Sequence, residues 1–132
     1  MLARLCGARN VLEIGSFTGY ATTWLAAALP ADGTVLALER DERSASVARA
    51  HLAGLGLDTR VDLRISDAME TLRSLPDDFP PFDLVFLDAD KRRSLTTAPK
   101  TSPPRTLSAA ATTATRTCIA TGYIYFYERV LA

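Results

Sequence analysis

Ten residues, Val11-Leu12-Glu13-Ile14-Gly15-Ser16-Phe17-Thr18-Gly19-Tyr20, constrain this chain more than any other stretch. Val11, Leu12 and Ile14 are apolar and partly β-branched, which suits a strand covered on both faces, and Gly15 ends the run where the chain must turn sharply. Beyond Gly19, residues 20–29 are rich in alanine and leucine and predict a helix, with Trp24 in the core, closed by Pro30 and the turn Ala31-Asp32-Gly33. Strand, glycine loop and helix in this order belong to an α/β sheet. In such sheets ligands bind beyond the carboxyl ends of the strands, where backbone N–H groups and a helix N-terminus point outward. Glu13 is the anomaly: an acid inside an apolar strand is costly to bury unless hydrogen-bonded, so it is expected to reach a ligand or local amides.

The glycine spacing separates two ligand classes. A dinucleotide fingerprint needs Gly-x-Gly-x-x-Gly, which lets the backbone approach a pyrophosphate closely. Gly15-x-x-x-Gly19 is wider and suits a ligand without phosphates.

The rest of the chain alternates. Residues 34–38 read as a second strand ending in Glu39-Arg40-Asp41, with Asp41 as N-cap of a helix over 42–55 whose Ala45, Ala48, Leu52 and Leu55 recur at helical spacing. His51 neighbours that stripe without a Cys or acidic partner close in sequence and reads as a surface or boundary residue. Val61, Leu63 and Ile65 alternate with Asp62 and Arg64, the pattern of a strand with one solvated face at a sheet edge. A short helix over 68–75 and a buried fourth strand over 83–87 lead to Asp88-Ala89-Asp90-Lys91. The alternation predicts an α/β fold of four parallel strands with right-handed crossover helices. Glu13 and Gly15, Glu39, Ser66 and Asp67, and Asp88 and Asp90 then line one rim, the ligand face.

There, Glu39 could accept both hydroxyls of a ribose; the alternative is an exposed acid paired with Arg40 or Arg43. Asp88 and Asp90 could hold a hard divalent cation, or simply cap a turn. Lys91 is either a charge partner or a base.

Composition narrows the partners. The 132 residues make one domain at most, and 15 basic residues balance 15 acidic ones, leaving no basic excess to track a nucleic-acid backbone. The most apolar helical run, residues 24–29, is far too short to span a membrane. Cys6 and Cys118 lack metal-ligand spacing and no secretory h-region precedes the first strand, so free thiols in a cytoplasmic chain are expected. Ten residues before Val11 are too few for a preceding helical layer.

Glu13 through Tyr20, Glu39-Arg40-Asp41 and Phe82-Asp83-Leu84-Val85-Phe86-Leu87-Asp88-Ala89-Asp90-Lys91 together resemble the cation-dependent O-methyltransferases of the caffeoyl-CoA and catechol type, over residues 10–93. The resemblance implies part of a Rossmann-like sheet. It also implies methyl transfer from S-adenosylmethionine to a catechol or phenylpropanoid-like small molecule, with no nucleic acid or membrane partner and with homo-oligomers among the expected assemblies. Glu13, Gly15, Ser16 and the loop's second glycine, Gly19, would line the S-adenosylmethionine site, Glu39 would hold the ribose, and Ala68 would lie at the adenine. Asp88 would contact both the cofactor and a divalent cation, Mg2+ by expectation, and Lys91 would be the general base. Ala21 departs from the family, which often carries a serine there against the methionine part.

Two other readings stand beside it: a non-catalytic cofactor-binding remnant, and a nicotinamide-dependent oxidoreductase. The second lacks both Gly-x-Gly-x-x-Gly and a Tyr-x-x-x-Lys pair.

Beyond Arg93 the pattern breaks. Residues 94–121 are dominated by Thr, Ala, Ser and Pro without one acidic residue, and are expected to be a disordered insertion, neither strand nor crossover helix. Residues 122–132 resume an amphipathic pattern resembling the helix that follows the Asp-Ala-Asp-Lys loop in the family. On this reading residues 1–93 are the cofactor-binding half of a methyltransferase domain. The remaining metal ligands and acceptor loops would be absent, activity would be impaired, and the strand over 84–87 would be an exposed pairing edge.

Overall fold

The computed structural model describes residues 2–88 and 118–121. In chain order the elements are α1 (Leu2–Leu5), β1 (Asn10–Ile14), α2 (Tyr20–Ala28), β2 (Thr34–Glu39), α3 (Glu42–Gly54), a 3-10 turn (Asp58–Arg60), β3 (Val61–Ile65), α4 (Ala68–Ser74), β4 (Leu84–Leu87) and β5 (Cys118–Thr121). All strand pairs are parallel, in the order β3-β2-β1-β4-β5. β1 is central: Glu13 lies opposite Ala37 of β2 on one side and Phe86 of β4 on the other. The chain lays β2 and β3 successively outward from β1, then returns to place β4 on β1's opposite flank. That reversal is the switch point at which α/β sheets open a crevice.

Side-chain alternation along the strands builds two cores. Val11, Val35, Ala37 and Leu84 face Leu25, Ala26 and Leu29 at α2 and Leu52 of α3, whereas Leu12, Leu36, Leu38 and Val85 face Leu72 of α4 and Phe82. A sheet covered on both faces is what its apolar strands require. As expected, Asp41 caps α3, its carboxylate accepting from the Ser44 N–H at 2.8 Å, and β3 lies at an edge.

Four expectations are corrected. Trp24 is 63% exposed, because the inner face of α2 is taken by Thr22, Leu25 and Ala26, small or flexible enough to sit against the sheet. The residues before Val11 do form a layer: the single turn of α1 buries Ala3 in the first core. Residues 118–121, within the segment whose composition predicts disorder, form β5, whose Cys118 and Ile119 lie opposite Leu84 and Val85. The strand Leu84–Leu87 is consequently not an edge; its free backbone groups, the feature that makes an edge recruit another strand, find a partner within the same chain. The rest of the segment, residues 94–117, and the helix expected over 122–132 lie outside the described residues.

At the end of the sheet away from the crevice, the Asp83 carboxylate accepts from the N–H groups of Arg9 and Asn10 at 2.8 and 2.9 Å, tying the start of β4 to the start of β1. Arg60 donates to the carbonyls of Leu29 at 3.1 Å, Gly33 at 3.4 Å and Pro30, satisfying carbonyls left open where α2 ends. Arg60→Ala is expected to lower unfolding free energy by about 1 to 3 kcal/mol, the range for losing charge-assisted hydrogen bonds. Urea denaturation reads this directly, and an unchanged midpoint would show that water replaces the clamp.

Candidate functional site

The crevice floor is the end of β1. The Gly15 N–H donates to the Leu38 carbonyl at 2.9 Å, and the Asp88 N–H to the Ile14 carbonyl at 3.0 Å, so the loop leaves β1 between the ends of β2 and β4. Gly15 has φ +90° and Gly19 +84°, both in the left-handed region. The Gly19 N–H closes a turn onto the Ser16 carbonyl at 2.8 Å. At Gly19 there is no room for a side chain: a Cβ would lie 2.9 Å from the Ala48 Cβ and 3.1 Å from its Cα. One turn further along α3, exposed His51 has its Nδ1 3.1 Å from the Thr18 carbonyl, so α3 holds the loop from below.

Glu39, at the end of β2, organises the other wall. Its Oε1 accepts from the N–H groups of Arg40 and Asp41 and its Oε2 from that of Phe17, each at 2.8 Å. Among the described residues it forms no ion pair: the two found there join Arg9 to Asp32 and Arg64 to Asp62. The alternative of a surface acid paired with Arg40 or Arg43 is therefore not what the chain adopts. Glu39 instead clips the glycine loop to the end of β2. The Ser66 N–H adds the third strand end by donating to the Glu39 carbonyl at 2.9 Å. Asp67 then caps α4 through the N–H groups of Met69 and Glu70, and Ala68 opens that helix half-buried.

Glu13 is completely buried, beneath the loop. The Thr22 hydroxyl donates to its Oε2 at 2.5 Å, while Oε1 has no partner. Burial pushes the Glu13 carboxyl up from 4.5 to about 7; the Thr22 hydrogen bond opposes the rise, and the charges of Asp88 and Glu39 add to it. The acids at the ends of β2 and β4 thus both act electrostatically on the one at the end of β1. Ser16 Oγ is likewise buried without a partner. Two buried, unmatched polar atoms at one loop are costly unless a ligand completes them.

Sequence reasoning missed Thr22. The available signal was a hydroxyl residue in an otherwise apolar helix that follows an acid-bearing strand, a pairing that invites a buried hydrogen bond.

Asp88 is exposed at the end of β4. Asp90 and Lys91 lie outside the described residues. Among the described residues no group of three or more His, Cys, Asp or Glu could hold a metal ion. They also include no helix long and apolar enough to cross a membrane.

A parallel sheet with a glycine loop at its switch point and acids at three strand ends is the arrangement of the doubly wound α/β class, in which the crevice beyond the strand ends is the ligand face. Comparison with known proteins gives the family. The O-methyltransferase family model matches residues 1–97, and the chain belongs to that family. It is 42% identical over 92 residues to catechol O-methyltransferase from Niastella koreensis, an alignment covering 69% of this chain and 42% of the relative. Among solved structures it is similar to O-methyltransferase TomG from Streptomyces achromogenes in complex with SAM, at 43% identity and TM-score 0.66, covering 68% of this chain and 41% of that one. It is also similar to the O-methyltransferase from Bacillus cereus in complex with SAH, at 41% identity and TM-score 0.65, covering 69% and 42%. The chain thus spans about two fifths of the length of the proteins it matches.

Proposed function

We propose that this chain carries the S-adenosylmethionine site of an O-methyltransferase that acts on catechol-type hydroxyls of small molecules. The observation that carries the proposal is the Glu39 carboxylate clipped to the glycine loop. A carboxylate has about four acceptor positions, of which backbone N–H groups take three here, so acceptor capacity remains at the crevice for a ribose hydroxyl. The unmatched Glu13 Oε1 and Ser16 Oγ fit the amino-acid end of the same ligand. The wide loop suits a cofactor without phosphates. The SAM and SAH complexes of the relatives support the ligand, and the catechol enzyme of Niastella koreensis supports the acceptor class.

Bound there, S-adenosylmethionine supplies an electrophilic sulfonium methyl. This chain's part is to hold the adenosyl group through Glu39, the loop from Gly15 to Gly19, and Ala68, and to keep the methyl in line with an incoming hydroxyl oxygen. The cofactor would give up its methyl to the hydroxyl oxygen and leave as a neutral thioether, and the hydroxyl proton would pass to a base, a role we assign to Lys91. Asp88, exposed at the end of β4, would serve the cofactor; a cation role for it would need ligands beyond the described residues.

Calorimetric titration tests the proposal. S-adenosylhomocysteine should bind and NAD should not; failure of the former, or comparable binding of the latter, would overturn it. Glu39→Ala is expected to weaken S-adenosylhomocysteine by roughly tenfold to a hundredfold. Hydrogen bonds to a charged group are worth about 1.5 to 3 kcal/mol and about 1.4 kcal/mol is a factor of ten. Unchanged affinity would reduce Glu39 to a loop clip.

A further inference from the structure

We infer that Thr22 is a positioning residue: by holding Oε2 of Glu13 it fixes the carboxyl so that Oε1 is kept for a cationic donor, the α-ammonium of an adenosyl amino acid. The inference rests on the adenosyl reading of the site and assigns one end of the ligand to a residue pair within it.

Thr22 lies in the first turn of α2, three residues past Gly19, and is completely buried. Valine or alanine would fill such a place as well, and a hydroxyl inside a helix ordinarily turns back to the carbonyl four residues earlier. Thr23 next to it does so, donating to the Gly19 carbonyl at 2.8 Å. The Thr22 hydroxyl instead leaves its own helix and crosses to β1, where it meets Glu13 Oε2 at 2.5 Å. The two oxygens of a carboxylate are interchangeable by rotation. One strong hydrogen bond in a low-dielectric setting removes that freedom and makes them distinct. One is spent within the protein. The other, Oε1, is buried and unmatched.

The charge around that oxygen selects its complement. Glu39 and Asp88 both act electrostatically on the Glu13 carboxyl, so a third acidic charge is disfavoured there and a cation is welcomed. An adenosyl amino acid carries an ammonium on its amino-acid arm, whereas its adenosine end offers only hydroxyls and ring nitrogens. Glu39, at the neighbouring strand end, is the acid suited to the hydroxyls. The ammonium is left to Glu13.

The test compares two ligands in calorimetric titration. S-adenosylhomocysteine has the amino-acid arm, and 5′-methylthioadenosine is the same adenosyl thioether without it. Thr22→Val keeps the shape and removes the donor. It is expected to weaken S-adenosylhomocysteine about tenfold, as for a charge-assisted hydrogen bond lost, and 5′-methylthioadenosine less than about twofold. Thr22→Ser should restore the first ligand. Equal loss for both ligands would make Thr22 a structural residue only, and no loss for either would remove any role; each result overturns the inference. Should Thr22→Val not fold, Thr22→Cys keeps the volume with a weaker donor and must show the same selectivity at smaller amplitude. An unselective or absent effect there counts against it equally. Wild-type chain that binds S-adenosylhomocysteine while Thr22→Val shows no selective loss refutes only the role of Thr22, whereas wild-type chain that binds none refutes the adenosyl reading beneath it.

Discussion

Unfolding free energy is expected to fall by about 3 kcal/mol as pH rises from 4.5 to about 8, with Glu13 as the source. Burial lifts this carboxyl from 4.5 to about 7 in the folded chain, and the unfolded chain restores the ordinary value. Between those two values the folded state holds a proton that the unfolded state has released, so stability decreases as pH increases. The contribution is complete below the unfolded value and lost as pH passes through the folded one. Asp41 acts oppositely and in another window: the Ser44 side-chain hydrogen bond, followed by its backbone one, lowers the Asp41 carboxyl, so that stabilisation fades only as pH falls below the ordinary aspartate range. Urea denaturation of wild type and Glu13→Gln separates the two. The glutamine variant should lose the downward slope between pH 4.5 and 8 and keep the acid-side loss. If both chains slope alike, Glu13 ionises freely and is not buried as described.

The second large effect belongs to Gly19. Gly19→Ala is expected to cost about 2 to 5 kcal/mol, because a side chain in the left-handed region costs roughly 1 to 2 kcal/mol and overpacking adds about 1 to 3. The new Cβ would meet Ala48 at 2.9 Å, against a residue that is itself completely buried in α3. Relief would lift the loop off α3, so S-adenosylhomocysteine affinity should drop together with stability. Gly54→Ala provides the contrast. That glycine is in α3 with nothing within 4 Å of the place a methyl group would take, and the change should be neutral or stabilising by up to about 1 kcal/mol. Equal responses at the two positions would mean that the Gly19 contact with Ala48 does not control the loop.

The fold was legible where local pattern and tertiary demand coincide. Runs such as Thr34–Glu39 and Leu84–Leu87 have apolar residues on consecutive positions, which suits a short strand covered on both faces, and Asp41 and Asp67 cap helices through N–H groups two or three residues away. The polar strand ends could be read too, since in a parallel sheet every strand must finish at the same rim. The environment of each end could not. Nothing near Glu39 in sequence announces Phe17, 22 residues earlier, as the donor that converts an apparent surface acid into the clip of the glycine loop.

Trp24 and Thr22 make the same point from opposite sides. Size and hydrophobicity argue for a buried tryptophan and polarity for an exposed threonine, yet the reverse holds. Position around α2 relative to the sheet decides, because close packing admits the shorter side chain and a buried acid on β1 awaits the hydroxyl. β5 is a further case: Cys118-Ile119-Ala120-Thr121 lies at the end of a segment whose overall composition predicts disorder, yet it pairs in parallel with β4. The sequence by itself therefore determined the alternation of strands and helices, the glycine loop and the rim of acids, all of them consequences of periodicity and chain reversal. Only the tertiary structure decided which acid is buried, which hydroxyl and amides meet it, and how far its pKa moves, because those depend on groups brought together through space across the sheet.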